Sequence, residues 1–266
     1  MQTAPLLQAQ NIGKSFGGLR ALDGVSFSVP AKTIYGIIGP NGAGKTSLFN
    51  ILTGLYQADT GKLLLRDQDI LNAPPHQIVQ HGIARTFQNI RLFSNMTALE
   101  NVMIGRHPRT KTGALGAVLR HSRERKEEAA IQQRAIELLN YVGLPAYVHD
   151  KRAADLPYGF QRKLEIARAL ATEPLLLALD EPAAGMNPTE TEELRELLLR
   201  IRQDGITVLL IEHDVKLVMG LCDYITVLDY GKKIAEGKPE QVQKNPAVIE
   251  AYLGADYLPD ITSQAQ

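Results

Sequence analysis

One eight-residue stretch constrains this chain more than any other. Gly39-Pro40-Asn41-Gly42-Ala43-Gly44-Lys45-Thr46 matches the spacing G-x-x-x-x-G-K-[ST] throughout. The apolar run Ile34–Ile38 leads into it, and a helical pattern, Ser47–Leu52, leads out. Glycines at this spacing allow a tight turn whose backbone N–H groups converge on an anion. The start of the following helix adds its partial positive charge. Lys45 supplies a mobile cation for terminal phosphates, and the Thr46 hydroxyl suits Mg²⁺. The residues read as holding ATP are therefore Gly39, Pro40, Asn41, Gly42, Ala43, Gly44, Lys45, Thr46 and Ser47. A chain built on strand, phosphate loop and helix is committed to an α/β layout.

Two further apolar runs, Leu175–Leu179 and Val208–Ile211, have the continuous character of strands buried on both faces. The first ends in Asp180-Glu181-Pro182. Ligands of open α/β sheets gather at the carboxyl ends of strands. Asp180 is thereby placed to hold Mg²⁺, and Glu181 to orient an attacking water. The first thirty residues read differently. Leu6–Ile12 and Val25–Val29 are β segments around the glycine-containing Phe16–Arg20, with Lys62–Leu65 expected in the same small sheet. From Arg91 to Leu156 strand-like runs give way to helix formers, and Ile131, Ala135, Leu138, Leu139 and Val142 share one helical face. The charge run Arg123–Glu128 reads as a solvated helix face, and Ser263–Gln266 as a frayed tail.

Composition removes several function classes. Lysine plus arginine and aspartate plus glutamate both number 29, so no net field draws the chain onto nucleic acid. The lone thiol, Cys222, can form neither an internal disulfide nor a cysteine-rich metal site, and its apolar surroundings make it a core residue. No run approaches the length of a membrane-spanning helix, and Met1–Gln10 lacks the features of a secretory signal. A cytosolic chain is expected, with any membrane crossing left to another protein. A guanine-reading Asn-Lys-x-Asp motif is absent, which argues against a GTPase switch.

Together these features resemble the nucleotide-binding subunits of ABC transporters, over nearly the whole chain. That family carries a second phosphate-contacting loop, usually Leu-Ser-Gly-Gly-Gln, between a helical insertion and the acidic strand. Here the place holds Leu156-Pro157-Tyr158-Gly159-Phe160-Gln161-Arg162, followed by a helix expected over Lys163–Leu170. Pro157, Tyr158 and Phe160 depart from the family pattern, which leaves the Gly159 N–H and the helix terminus as phosphate contacts. Gln88 matches the glutamine that senses Mg²⁺ and water, and His213 the histidine of the γ-phosphate. Phe16 matches the aromatic that stacks on adenine, a core phenylalanine being the other reading. Ala184–Pro188 occupies the dimer-contact loop, with Asn187 in place of the usual aspartate.

The Tyr-Gly of the second loop, Arg85-Thr86-Phe87-Gln88, Glu181–Pro188, Lys216–Gly220 and Asn245–Gly254 narrow the resemblance. They are similar to the LivG-type subunits that serve importers of branched-chain amino acids, whose relatives also serve amides or urea. The resemblance implies a single ABC ATPase domain over residues 1–266, with a helical insertion near 91–157 and a helical tail from about 239. Its fold would be a P-loop core with a mainly parallel sheet and a small antiparallel β subdomain. It implies a catalytic set of Glu181, His213, Lys45 and Gln88, and Mg²⁺ held by Thr46, Gln88 and Asp180. It implies ATP and Mg²⁺ as cofactors and a second ABC ATPase subunit, identical or different, as partner. It also implies membrane permeases and, indirectly, a periplasmic solute-binding protein. The chain would then sit peripherally on the cytoplasmic face of the inner membrane. Leu92, Phe93 and Met96 would line the permease groove or else belong to the core. The competing reading is a soluble ABC ATPase of translation or repair, which usually carries paired ATPase units or a long coiled coil.

Overall fold

A computed structural model describes residues 5–107 and 122–253. The expected tail at Ser263–Gln266, Gly254, and part of the expected insertion lie outside the described residues. In chain order the first half holds β1 (Pro5–Phe16), β2 (Leu19–Pro30), β3 (Ile34–Ile38), α1 (Lys45–Leu52), β4 (Thr60–Leu65), β5 (Gln68–Asp69), α2 (Pro75–His81), β6 (Ile83–Arg85) and α3 (Ala98–Gly105). The second half holds α4 (Ser122–Tyr141), α5 (Tyr158–Leu170), β7 (Leu176–Asp180), α6 (Pro188–Gln203), β8 (Thr207–Ile211), α7 (Val215–Leu221), β9 (Tyr224–Asp229), β10 (Lys232–Gly237), α8 (Pro239–Gln243) and α9 (Pro246–Leu253). By contacts the chain forms two compact units, residues 1–75 with 198–266, and residues 76–197.

The first unit contains two sheets. One is four-stranded and antiparallel, in the order β2-β1-β4-β5. β1 and β2 run well past the apolar segments expected from sequence. The polar residues Gln10 and Asn11 are carried along because β1 is hydrogen-bonded on both sides, to β2 and to β4, with irregular register where the pattern breaks. In the other sheet β3 pairs in parallel with β8 and with β9, and β10 closes against β9 antiparallel. Every residue of β3 and of β8 is buried, which explains their unbroken apolar character. The pairing of Ile37 with Ile211 and of Ile38 with Val227 brings the carboxyl ends of these strands side by side.

The second unit holds the parallel pair β6 and β7, with Arg85 opposite Ala178. The ladder continues past β6 through the Thr86 N–H, which donates to the Ala178 carbonyl at 2.9 Å. α3 begins with a capping box in which the Thr97 side chain accepts from the Glu100 N–H and Glu100 accepts from the Thr97 N–H. It lies against α4 and α5. On α4 and the turn after it, Ala135, Leu138, Leu139 and Val142 are buried, as their spacing predicts. α5 starts at Tyr158, five residues before the helix expected from sequence. Pro157 is the cause. Its ring holds φ at −53°, and as N-cap it precedes the first helical residue without needing an N–H of its own.

Candidate functional site

The residues singled out in the sequence fall into two sets, one on each unit. On the first unit the phosphate loop connects β3 to α1. Gly39 has a φ of +152°, and a Cβ there would lie 2.1 Å from the Leu228 carbonyl oxygen, so the chain passes β9 at a distance only glycine allows. The loop is tied back to the β9–β10 turn by the Gly231 N–H, which donates to the Ala43 carbonyl at 3.1 Å. Lys45, nearly buried, donates from Nζ to the Gly39 and Pro40 carbonyls at 2.7 and 2.9 Å. Asn41, Gly42 and Thr46 are exposed on the loop's outer side.

His213 lies two residues past the end of β8 and is exposed, with Nδ1 3.8 Å from the buried Glu212 carboxylate. Asp214 then caps α7 by accepting from the Leu217 N–H at 3.0 Å. The register of β3 with β8 puts the phosphate loop and His213 on the same end of the sheet. Phe16 is 43% exposed and closes the β1–β2 turn. Its ring meets Tyr56 edge-on at 5.4 Å, and Lys14 Nζ lies 5.3 Å from its centre. A core phenylalanine would not be so open. A separate cavity of about 600 Å³, lined in part by Lys32, Asp223 and Lys238, opens at the amino ends of β3 and β9. It lies at the opposite end of the sheet from the phosphate loop and is not part of this site.

On the second unit β7 delivers Asp180 and Glu181 beside the segment that follows β6. Gln88 Nε2 donates to Glu181 Oε2 at 2.9 Å. Glu181 has a φ of +45°, a left-handed conformation unusual for a residue with a side chain. Strain of this kind costs ~1–3 kcal/mol and gathers at functional positions. Asp180 is almost fully buried and accepts from Arg85 Nη2 at 3.1 Å. Burial pushes its carboxyl above the usual range, Arg85 opposes that, and the neighbouring Glu181 adds to it. Gly159 lies in the first turn of α5, and no side chain caps that helix among the described residues. The N–H groups of Tyr158, Gly159 and Phe160 are thus the first donors of a helix terminus.

Asn187 has a clear local role. Its side-chain oxygen accepts from the Glu190 N–H, and Glu190 accepts in return from the Asn187 N–H, both at 3.0 Å. With Pro188 as the first helical residue, this caps α6. An amide oxygen does this as well as a carboxylate would. Of the residues expected to line a permease groove, Phe93 is 48% exposed, and Leu92 and Met96 are half-buried. The fully buried Asn101 fastens that loop by donating to the Phe93 and Thr97 carbonyls and accepting from the Phe93 N–H.

Sequence reasoning missed Arg85 as the counter-ion of Asp180, because their pairing depends on the β6–β7 register. It also missed Arg162 and Glu165, both fully buried. Their signal was a charged pair three residues apart among apolar neighbours in a helix.

Comparison with known proteins identifies the family. Residues 22–184 match the family model described as ABC transporter, and residues 232–257 match one described as branched-chain amino acid ATP-binding cassette transporter. The chain is 46% identical over 251 residues to the Escherichia coli K12 high-affinity branched-chain amino acid transport ATP-binding protein LivG, covering 94% of this chain and 98% of that protein. It is 45% identical to BraF of Pseudomonas aeruginosa, which bears the same description, with the same coverage. A crystal structure of the ADP conformation of an ATP-binding cassette of an ABC transporter superposes with a TM-score of 0.82 at 36% identity, covering 95% of this chain and all of that one. A nucleotide-free cassette superposes with a TM-score of 0.81 at the same identity, covering 94% and 99%. The chain belongs to the ABC transporter family, as one of its ATP-binding ATPase subunits.

Proposed function

We propose that this chain is the energy-coupling subunit of an importer for branched-chain amino acids. The observation that carries the catalytic reading is the Gln88–Glu181 hydrogen bond at the end of β7, next to the buried Asp180. It ties down the carboxylate of Glu181, a residue with a strained backbone, and supports the reading that this carboxylate orients water. Lys45 and the N–H groups of Gly39–Ser47 would receive the phosphates. His213 would sense the γ-phosphate, and Phe16 would stack on adenine. Thr46, Gln88 and Asp180 offer only oxygen donors, the hard set that suits Mg²⁺. No group of three or more His, Cys, Asp or Glu side chains forms a competing metal site among the described residues. Thr46, Gln88 and Asp180 would hold Mg²⁺, which when bound would supply positive charge against the phosphates.

Catalysis on the γ-phosphate is mainly positioning and charge stabilisation. Glu181 would take up the water's orientation, and Gln88 would hold Glu181. The N-terminus of α5, with Gly159, would contact the nucleotide of a second ATPase subunit, identical or different. Permeases and a periplasmic binding protein would complete the assembly at the cytoplasmic face of the membrane. The proposed location, by analogy with the relatives described as transport ATP-binding proteins, is peripheral; no helix among the described residues is long and apolar enough to cross a membrane. The relatives' printed descriptions support branched-chain amino acids as the solute.

Turnover of Glu181→Gln in the assembled transporter tests the mechanism. Loss of one well-placed electrostatic group costs on the order of 10²–10³ in rate, with ATP binding retained. Near-normal hydrolysis would remove Glu181 from its role. Uptake of labelled leucine, challenged with acetamide and with urea, tests the solute; competition by an amide instead of by isoleucine or valine would reassign it.

A further inference from the structure

The second loop of this chain lost a serine and a glycine of the usual pattern, and something specific stands in their place. Tyr158 Oη donates to the Ala184 carbonyl at 3.0 Å. It accepts from Arg162 Nη2 at 3.2 Å. Arg162 is fully buried, and its terminal N–H groups are all used. Nη1 donates to the Phe87 carbonyl at 2.7 Å and to Glu165 Oε2 at 2.9 Å, and Nη2 donates also to the Gln88 carbonyl at 2.9 Å. Glu165, equally buried, accepts from the N–H groups of Phe87 and Arg91 at 3.3 and 3.2 Å. The Gln88 side chain reaches Glu181 at 2.9 Å, and the Ala184 N–H returns to the Glu181 carbonyl at 3.2 Å.

These bonds close a ring: Tyr158, Arg162, Gln88, Glu181 and Ala184. Three of its members, Gln88, Tyr158 and Ala184, line a cleft of about 370 Å³ together with Asn89 and Gly185. The cost of the ring shows what it is for. A buried arginine–glutamate pair adds little net stability once desolvation is counted, and fully satisfied buried networks instead hold a single geometry. Arg162 Nε, buried without a partner among the described residues, is a further cost of keeping the guanidinium here. The Tyr158 hydroxyl, on the first residue of α5, is the ring's link to Ala184.

We propose that Tyr158 and Arg162 are positioning residues that couple the N-terminus of α5 to Gln88 and Glu181. This rests on the ATPase reading above. Nucleotide contact at α5 moves the helix terminus, and the ring carries that movement to the carboxylate that orients water. The terminus serves the partner's nucleotide and Glu181 the chain's own, so the ring links two ATP sites through one subunit.

The test is steady-state ATP hydrolysis by the full chain in its assembled transporter, comparing wild type, Tyr158→Phe, Gln88→Ala and the double variant. Tyr158→Phe keeps the half-exposed ring and removes only the hydroxyl. We expect kcat to fall about tenfold, the loss of one hydrogen bond to a charged group. KM for ATP should stay as in wild type, the melting temperature should fall by only a few degrees as the buried Arg162 N–H loses its partner, and the Hill coefficient for ATP should fall. In the Gln88→Ala background, where the ring is already open, the same substitution should cost less than twofold. Wild-type kcat in Tyr158→Phe, or the same tenfold loss in both backgrounds, would overturn the coupling. Absence of hydrolysis by wild type would instead remove the ATPase reading, and this proposal with it. Arg162→Lys, which keeps the charge but cannot reach Tyr158 and two carbonyls together, should reproduce the kcat loss if it folds.

Discussion

Replacing Gly39 by alanine should disable nucleotide binding out of proportion to the single methyl group added. The new Cβ would lie 2.1 Å from the Leu228 carbonyl oxygen. That oxygen belongs to a buried strand paired on one side with β3 and on the other with β10, so it cannot retreat. The loop itself must move, by roughly 1 Å, to restore normal contact. Alanine would also have to hold a φ of +152°, a region L-residues rarely enter. Backbone strain of ~1–3 kcal/mol and overpacking of similar size put the loss of stability at about 2–6 kcal/mol. A shift of ~1 Å in groups that converge on phosphate is worth about 10²-fold in function.

Gly42→Ala is the control. Its φ of +79° also disfavours alanine, but nothing lies within 4 Å of the added carbon. The cost there is the left-handed term alone, ~1–2 kcal/mol. Thermal denaturation and titration with a fluorescent ATP analogue would measure both variants. The expected order is a large loss of melting temperature and affinity for Gly39→Ala, and a small one for Gly42→Ala. Equal effects of the two substitutions would refute the steric argument, since both glycines have a positive φ and only Gly39 has the collision.

Other outcomes follow from the same structure. Lys45→Ala should abolish tight ATP binding, read by the same titration, because the loop loses its only mobile cation. Asn187→Ala should lower stability by about 1 kcal/mol through loss of the α6 cap, and Asn187→Asp should not; equal melting temperatures for all three would discount the cap. Phe16→Ala should weaken ATP binding by ~1–3 kcal/mol if the ring stacks on adenine, with little change in melting temperature. Cys222 is buried, and burial pushes its thiol pKa far above the ordinary value. It should therefore resist alkylation at pH 8 in the folded protein and react on unfolding, a contrast that mass spectrometry would detect.

Much of this protein is legible in its sequence because the signals are local. The phosphate loop needs only consecutive residues, and the apolar runs Ile34–Ile38 and Val208–Ile211 declare themselves as strands by the continuous apolar character that burial on both faces requires. The carboxylates Asp180 and Glu181 follow from their place at the end of such a strand. Gln88 and His213 needed family resemblance, since neither residue type is unusual after a strand.

Tertiary structure decided the rest. The Gln88–Glu181 bond joins residues far apart in sequence through the parallel pairing of β6 and β7. The same register gives Asp180 its partner Arg85. α5 begins at Tyr158 because Pro157 fits the cap position, a boundary that the family resemblance placed too late. The departures from the family pattern at Tyr158 and Asn187 looked like losses in the sequence. In the fold one bridges α5 to the loop after β7, and the other caps α6. Motifs specify which atoms can meet phosphate, but the distance between two loops is set by strand register and helix packing, which no short stretch of sequence contains.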